Sequence, residues 1–146
     1  MKICRMFLYA LEKESMNRLF LALVGSLYFV LALWCTLSPG STSQSVGFTL
    51  QPGSGQSEFL VVYGGLELAL GMIFLWPLWQ RDVSRYALIV CLIVHGCLVL
   101  FRTIGFVMFA GITPMTYSLA VGEWLIFLTS LILFLLEWKS AHSPVQ

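Results

Sequence analysis

Two glutamates and one arginine stand inside otherwise apolar stretches of this chain: Glu67, Glu123 and Arg102, with His95 seven residues before the arginine. A carboxylate can exchange a proton, hold a cation or accept hydrogen bonds. A guanidinium stays charged and offers a fork of donors that can hold two carboxylates. In hydrocarbon such groups cost at least about 2.5 kcal/mol each, so they pair, face a wet cavity or do chemistry. Two glutamates against one arginine leave a surplus negative charge. Either one carboxyl keeps its proton, or a cation or polar ligand supplies the balance. Glu58, at the mouth of the same stretch as Glu67, and Tyr63, one turn before it, are placed to join the network. His95 shares a helical face with Arg102 and is either a proton relay or a histidine hydrogen-bonded to a backbone carbonyl. Cys91 and His95 have i, i+4 spacing, but nothing supplies the remaining ligands, so no metal site is expected.

The elements that carry these residues are long. Of 146 residues, 59% are hydrophobic and only 10% charged, far from the roughly 25% charged residues of a soluble domain. Apolar runs cover about 19-37, 59-79, 86-108 and 117-137. Each approaches the roughly 20 residues that cross a bilayer as a helix, and the runs are continuous rather than alternating, which excludes barrel strands. The expected architecture is an all-α integral membrane protein, a bundle of four transmembrane helices over 19-138, with an N-terminal segment 1-18 and a tail 139-146. Lys2, Arg5, Lys13 and Arg18 precede the first span, Arg81 and Arg85 lie between the second and third, and Lys139 follows the fourth. With four crossings these fall on one side, so both termini are expected in the cytoplasm. Trp34, Trp76, Trp79, Trp124 and Trp138 lie mostly near span ends, as an aromatic belt would. No basic run suggests nucleic acid.

The flanking and connecting segments are distinct. Ile3, Met6, Phe7 and Ala10 follow helical spacing, which predicts an interfacial helix or a loose tail, and Met16 is a plausible natural start. Residues 38-57 form a Ser-, Gly- and Pro-rich loop. Residues 80-85 read as a tight turn, and Gly105, Gly111 and Pro114 suit a bent or broken helix end. The four cysteines, Cys4, Cys35, Cys91 and Cys97, make no CxxC and read as small apolar residues.

Depth brings the charges together. At 1.5 Å of rise per residue, Glu67 lies about 12 Å and Glu123 about 9 Å inside the outer ends of their spans, and Arg102 about 6 Å below the outer boundary of a roughly 30 Å core. All three are therefore expected in one outer-leaflet layer. Two readings follow. One is a structural ion cluster that locks three helices in register. The other is a site for a proton, a lipid headgroup or a small polar ligand reached from outside. Gly64, Glu67 and Gly71 follow i, i+3, i+7, and with Gly65 they make a small-residue face that another helix can approach, from this chain or from a second copy.

The run Glu58-Phe-Leu-Val-Val-Tyr63-Gly64-Gly65-Leu-Glu67-Leu-Ala-Leu-Gly71, followed by Arg102, then Gly111 and Pro114 in Ala-Gly-Ile-Thr-Pro, then Glu123, resembles a bacterial four-helix membrane family. This is domain-of-unknown-function family 4345, within the wider DoxX-like group. The resemblance covers most of the chain. It implies a multi-pass protein of a bacterial inner membrane and brings no established activity; the DoxX-like link hints at redox or quinone partners. One departure stands out. Members often carry an arginine shortly after the acidic residue that opens the second span, and here that place is Leu60. The site then has one cation fewer for an anionic ligand.

The chain shows no nucleotide motif, no metal cluster and no nucleophile–base pair, and no cofactor is expected. The leading expectation is a non-enzymatic membrane component that supports the cell envelope, in contact with membrane lipids, as a homo-oligomer (dimer or trimer) joined through glycine-lined faces. The alternatives are a proton-coupled small transporter with Glu67, Glu123 and Arg102 as its coupling site, and a membrane enzyme acting on a lipid or quinone, with a glutamate as acid or base and Arg102 steadying an anion.

Overall fold

A computed structural model of the chain describes residues 2-141, with side chains described over 13-139. The described residues contain helices and no strand. Helix α1 spans Lys2–Leu37. A short helix α2, Pro39–Ser45, begins the far loop with proline in its first turn, where the missing N–H removes no hydrogen bond. The second crossing is one rod over Ser54–Leu78, built from α3 (Ser54–Phe59), a π-helical segment (Leu60–Leu66) and α4 (Glu67–Leu75). It tightens into a 3-10 turn at Trp76–Leu78 around Pro77. A second 3-10 turn, Arg81–Val83, leads into α5, Ser84–Met108. The chain then turns extended at Phe109, takes a left-handed conformation at Gly111 (φ 76°) and starts α6, Pro114–Ala141, on proline. Four helices are long and apolar enough to cross a membrane, and the molecule is an all-α, four-helix membrane bundle.

The segment before the first span is not a separate element. Residues 2-37 form one helix of 36 residues, about 54 Å long against a hydrocarbon core of about 30 Å. The helical spacing of Ile3, Met6, Phe7 and Ala10 thus continues that of the span. Cys4 falls outside the described side chains.

Helix pairs hold the bundle: α1 lies along the second rod, and α5 along α6. The first pair is close because it is built on glycine. A Cβ at Gly71 would stand 3.1 Å from the Phe29 amide nitrogen and 3.2 Å from the Gly25 carbonyl oxygen. A Cβ at Gly64 would stand 2.8 Å from Thr36 Oγ1. The small-residue face of the second span therefore meets α1 of the same chain. Gly65 is exposed.

On α1 the buried positions include Lys13, Asn17, Leu21, Val24, Tyr28, Ala32 and Cys35, spaced by threes and fours. On α5 they include Ser84, Leu88, Cys91, His95 and Val99. These inward stripes are smaller and more polar than the outward faces, which expose residues such as Leu23, Val30, Phe101 and Leu125. A bundle in lipid sorts residues this way, since hydrocarbon solvates leucine and leaves small and polar groups to the helix contacts.

The inward stripes stack into three layers. At one end, where Arg18, Arg81, Arg85 and Lys139 lie, Asn17 Nδ2 donates to Glu137 Oε1, Arg85 Nε stands 4.0 Å from Glu137 Oε2, and Arg18 donates to the Pro77 and Leu78 carbonyls at 3.0 and 3.2 Å. These contacts place the α1 end of the first span, the 80-85 turn and the end of α6 together at one basic end. Next comes an apolar layer of Leu21, Val24, Phe74, Ala87, Leu88 and Leu133. Beyond it lie Tyr28, His95 and the intramembrane charges.

Candidate functional site

The floor of the far polar layer is a tyrosine–histidine pair. His95 is 1% exposed. Its Nδ1 lies 2.9 Å from the Cys91 carbonyl oxygen, which can only accept, so Nδ1 carries the proton. In the neutral ring Nε2 then holds a lone pair and accepts from the Tyr28 hydroxyl at 3.3 Å. Of the two sequence readings of His95, the backbone-bonded histidine is the arrangement present. Tyr28 packs edge-on to His95 and to Phe74, which fixes the pair against the apolar layer.

One wall is an ion pair between α5 and α6. Arg102 Nε donates to Glu123 Oε2 at 2.9 Å, and Nη2 donates to Oε1. Both side chains are largely buried, at 29% and 14% exposure. The bidentate geometry is the strong form of this interaction. The same face of α5 and α6 carries two further contacts: Phe106 against Tyr117, with ring centroids 4.9 Å apart, and Phe127 over Gly96.

The opposite wall is Glu67, and here the expectation from the sequence needs correcting. Arg102 does not bridge two carboxylates. The paired edge of its fork, Nε with Nη2, is aligned on Glu123, and Glu67 makes no hydrogen bond or ion pair among the described residues. Glu67 Oε2 is buried and has no hydrogen-bond partner. Tyr63 lies within electrostatic reach of both Glu67 and Arg102. Glu58 does not join the site. It is exposed on α3, on the outer side of the π-helical segment, and has no ion pair among the described residues.

The roof comes from the far loop. The Tyr63 ring stacks on buried Phe59 at 4.6 Å and leans on Phe48 at 5.9 Å. The Cys35 thiol meets the Thr42 side chain of α2, and Thr42 and Ser43 are buried. The loop of residues 38-57 thus carries a folded cover rather than a plain polar connection.

The π-helical segment is the local device that places Tyr63 and Glu67. Its wider turns are an unusual conformation that recurs at functional sites. Gly64 and Gly65 lie inside it and contribute no side chain to crowd the expanded turn. Gly64 also lets the rod seat on Thr36.

Several polar residues escaped attention in the sequence. Tyr28 is one, although it shares the buried stripe of α1. Asn17, Ser84 and Glu137 at the basic end are others: Asn17 Oδ1, Ser84 Oγ and Glu137 Oε2 are buried without hydrogen-bond partners. Their signal was present as polar residues in phase with the inward stripes. Cys35 and Cys91 are buried and Cys97 is exposed, all three as free thiols. No group of histidine, cysteine and acidic residues able to hold a metal occurs among the described residues.

Comparison with protein-family models, with curated proteins and with solved structures finds no match to this chain.

Proposed function

We propose that this chain is a non-enzymatic, multi-pass protein of a bacterial inner membrane that supports the cell envelope, with both termini in the cytoplasm. In this reading it works as a small homo-oligomer among membrane lipids. The polar layer that holds Glu67 and the Arg102–Glu123 pair takes a polar ligand from the outer leaflet. The basic end faces the cytoplasm because lysine and arginine gather there. The observation that supports the site is the buried carboxylate oxygen of Glu67 without a hydrogen-bond partner, while Arg102, the intramembrane cation, is aligned on Glu123. Such an oxygen calls for a donor. A proton, an ammonium headgroup or a hydroxyl-bearing small molecule fits, and an anion does not, in keeping with Leu60 where the resembled family often has arginine.

The apolar layer weighs against a proton-coupled transporter. From His95 to Ser84 along α5 is about 16 Å, and that interval is filled by the packed residues Leu21, Val24, Phe74, Leu88, Cys91 and Leu133. Among the described residues, no chain of hydrogen-bonded titratable groups joins the two polar layers. An enzyme reading has one candidate pair among the described residues, the Cys91 thiol 3.6 Å from His95 Nδ1, and that nitrogen already carries the proton it donates to the Cys91 carbonyl, so it is not placed to act as a base toward the thiol.

Complementation of a deletion strain tests the proposal. Wild type should restore resistance to detergent and to bulky antibiotics, and Glu67→Gln, made at the same level, should not. Full rescue by Glu67→Gln removes Glu67 from the function. A monomer in both mild detergent and lipid removes the oligomer.

A further inference from the structure

We infer a second lipid site, at the basic end and on the outside of the bundle: an anionic phospholipid lies against α1 and α4, one acyl chain in an apolar groove and its phosphate among the arginines at the groove's mouth. The groove is lined by Phe29, Met72, Leu75, Trp76 and Trp79 and has a volume of about 420 Å³, within the range of small-ligand pockets. Met72 and Leu75 line it from the last turns of α4, and Trp76 and Trp79 from the 3-10 turn that follows. Met72, Trp76 and Trp79 are exposed, and the groove opens toward the surrounding lipid.

Charge at the mouth selects the headgroup. Arg81 follows Trp79 by two residues, is exposed, and makes no ion pair among the described residues. Arg18 is pinned at the same end of the α1–α4 seam by its bonds to the Pro77 and Leu78 carbonyls. Asp82 offsets one of these charges, and Arg85 is drawn toward Glu137. Across the described side chains of this end, Lys13, Arg18, Arg81, Arg85 and Lys139 face only Glu14, Asp82 and Glu137. Trp76 Nε1 donates to Gln80 Oε1 at 3.2 Å, which sets this ring at the polar boundary, where tryptophan anchors lipid-facing helices. A second copy of the chain fits the groove less well. A twofold along the membrane normal would press one arginine rim against the same rim of its partner.

The test uses phosphatidylglycerol and phosphatidylcholine carrying brominated acyl chains, which quench nearby tryptophan. In a variant with Trp34, Trp124 and Trp138 replaced by Phe, the remaining fluorescence comes from Trp76 and Trp79. Brominated phosphatidylglycerol should quench it at about one fifth of the mole fraction that phosphatidylcholine needs, the equivalent of one arginine–phosphate contact. Arg81→Gln should remove the preference. As a second measurement on the otherwise unchanged chain, native mass spectrometry should find a retained phosphatidylglycerol that Met72→Trp expels. Equal quenching by the two lipids overturns the proposal, as does a lipid adduct indifferent to Met72→Trp. A dimer that Met72→Trp dissociates also overturns it, because a second copy then fills the groove.

Discussion

Arg102 and Glu123 face each other across α5 and α6 in a bidentate pair, Nε to Oε2 at 2.9 Å and Nη2 to Oε1, and Glu67 is left outside it. This one relationship divides the intramembrane charges into a structural pair and a single open carboxylate. The two parts then respond differently to mutation.

Arg102→Ala strands Glu123 in a largely buried position. It should cost about 3 kcal/mol or more, because one charge of a buried pair is left uncompensated. Replacing both partners by apolar residues, Arg102→Met with Glu123→Leu, should recover much of that loss. Glu67→Gln should be within about 1 kcal/mol of wild type, since no bond to the carboxylate is lost. Thermal unfolding in detergent separates these cases. Equal melting of Arg102→Ala and wild type would show that the pair does not hold α5 to α6.

Tyr28→Phe leaves His95 Nε2 buried without a donor and should destabilise by about 1 to 2 kcal/mol. Nitrogen-15 spectra of labelled histidine at neutral pH should show the proton on Nδ1 of His95 in both proteins. A proton on Nε2 instead would contradict the assigned hydrogen bonds.

Glycine contacts give a graded series. Gly71→Ala drives a methyl against the α1 backbone at Phe29 and Gly25 and should cost about 1 to 3 kcal/mol through overpacking. Gly64→Ala meets side-chain atoms and no backbone, Thr36 Oγ1 at 2.8 Å and Leu60 Cδ2 at 3.8 Å, which can shift, and should cost less. Gly105→Ala meets nothing within 4 Å and should be neutral or mildly stabilising, as alanine favours a helix interior. Thermal melts that rank the three otherwise would mean that α1 and the rod do not meet as described.

Much of the bundle was legible because bilayer thickness dictates run length: the four spans stand in the sequence as long, mostly apolar runs, three of them broken by a single inner charge. The site was legible only in part. Glu67, Arg102 and Glu123 are conspicuous as charges in hydrocarbon, but which carboxylate Arg102 grips depends on helix neighbours, and α5 lies beside α6. Tyr28 hid among apolar residues because tyrosine is common near membranes. Its phase with Asn17, Leu21 and Cys35 was the available clue. The π-helical turn left no clue in the sequence beyond the glycine pair inside it.

Topology can be probed separately. Single cysteines at Ser54 and Arg81, in a background with Cys4, Cys35, Cys91 and Cys97 replaced by alanine or serine, should react with an impermeant thiol reagent from opposite sides. Ser54→Cys should label in intact spheroplasts, and Arg81→Cys only after lysis. The reverse pattern would invert the membrane orientation and place the Glu67 site in the cytoplasmic leaflet.

The most direct measurement is native mass spectrometry of wild type and Glu67→Gln side by side, released from mild detergent. The account predicts a small oligomer in both, with a donor-bearing ligand retained by wild type and lost from Glu67→Gln. A bare monomer in both, or the same ligand held equally by both, would contradict a Glu67-centred site.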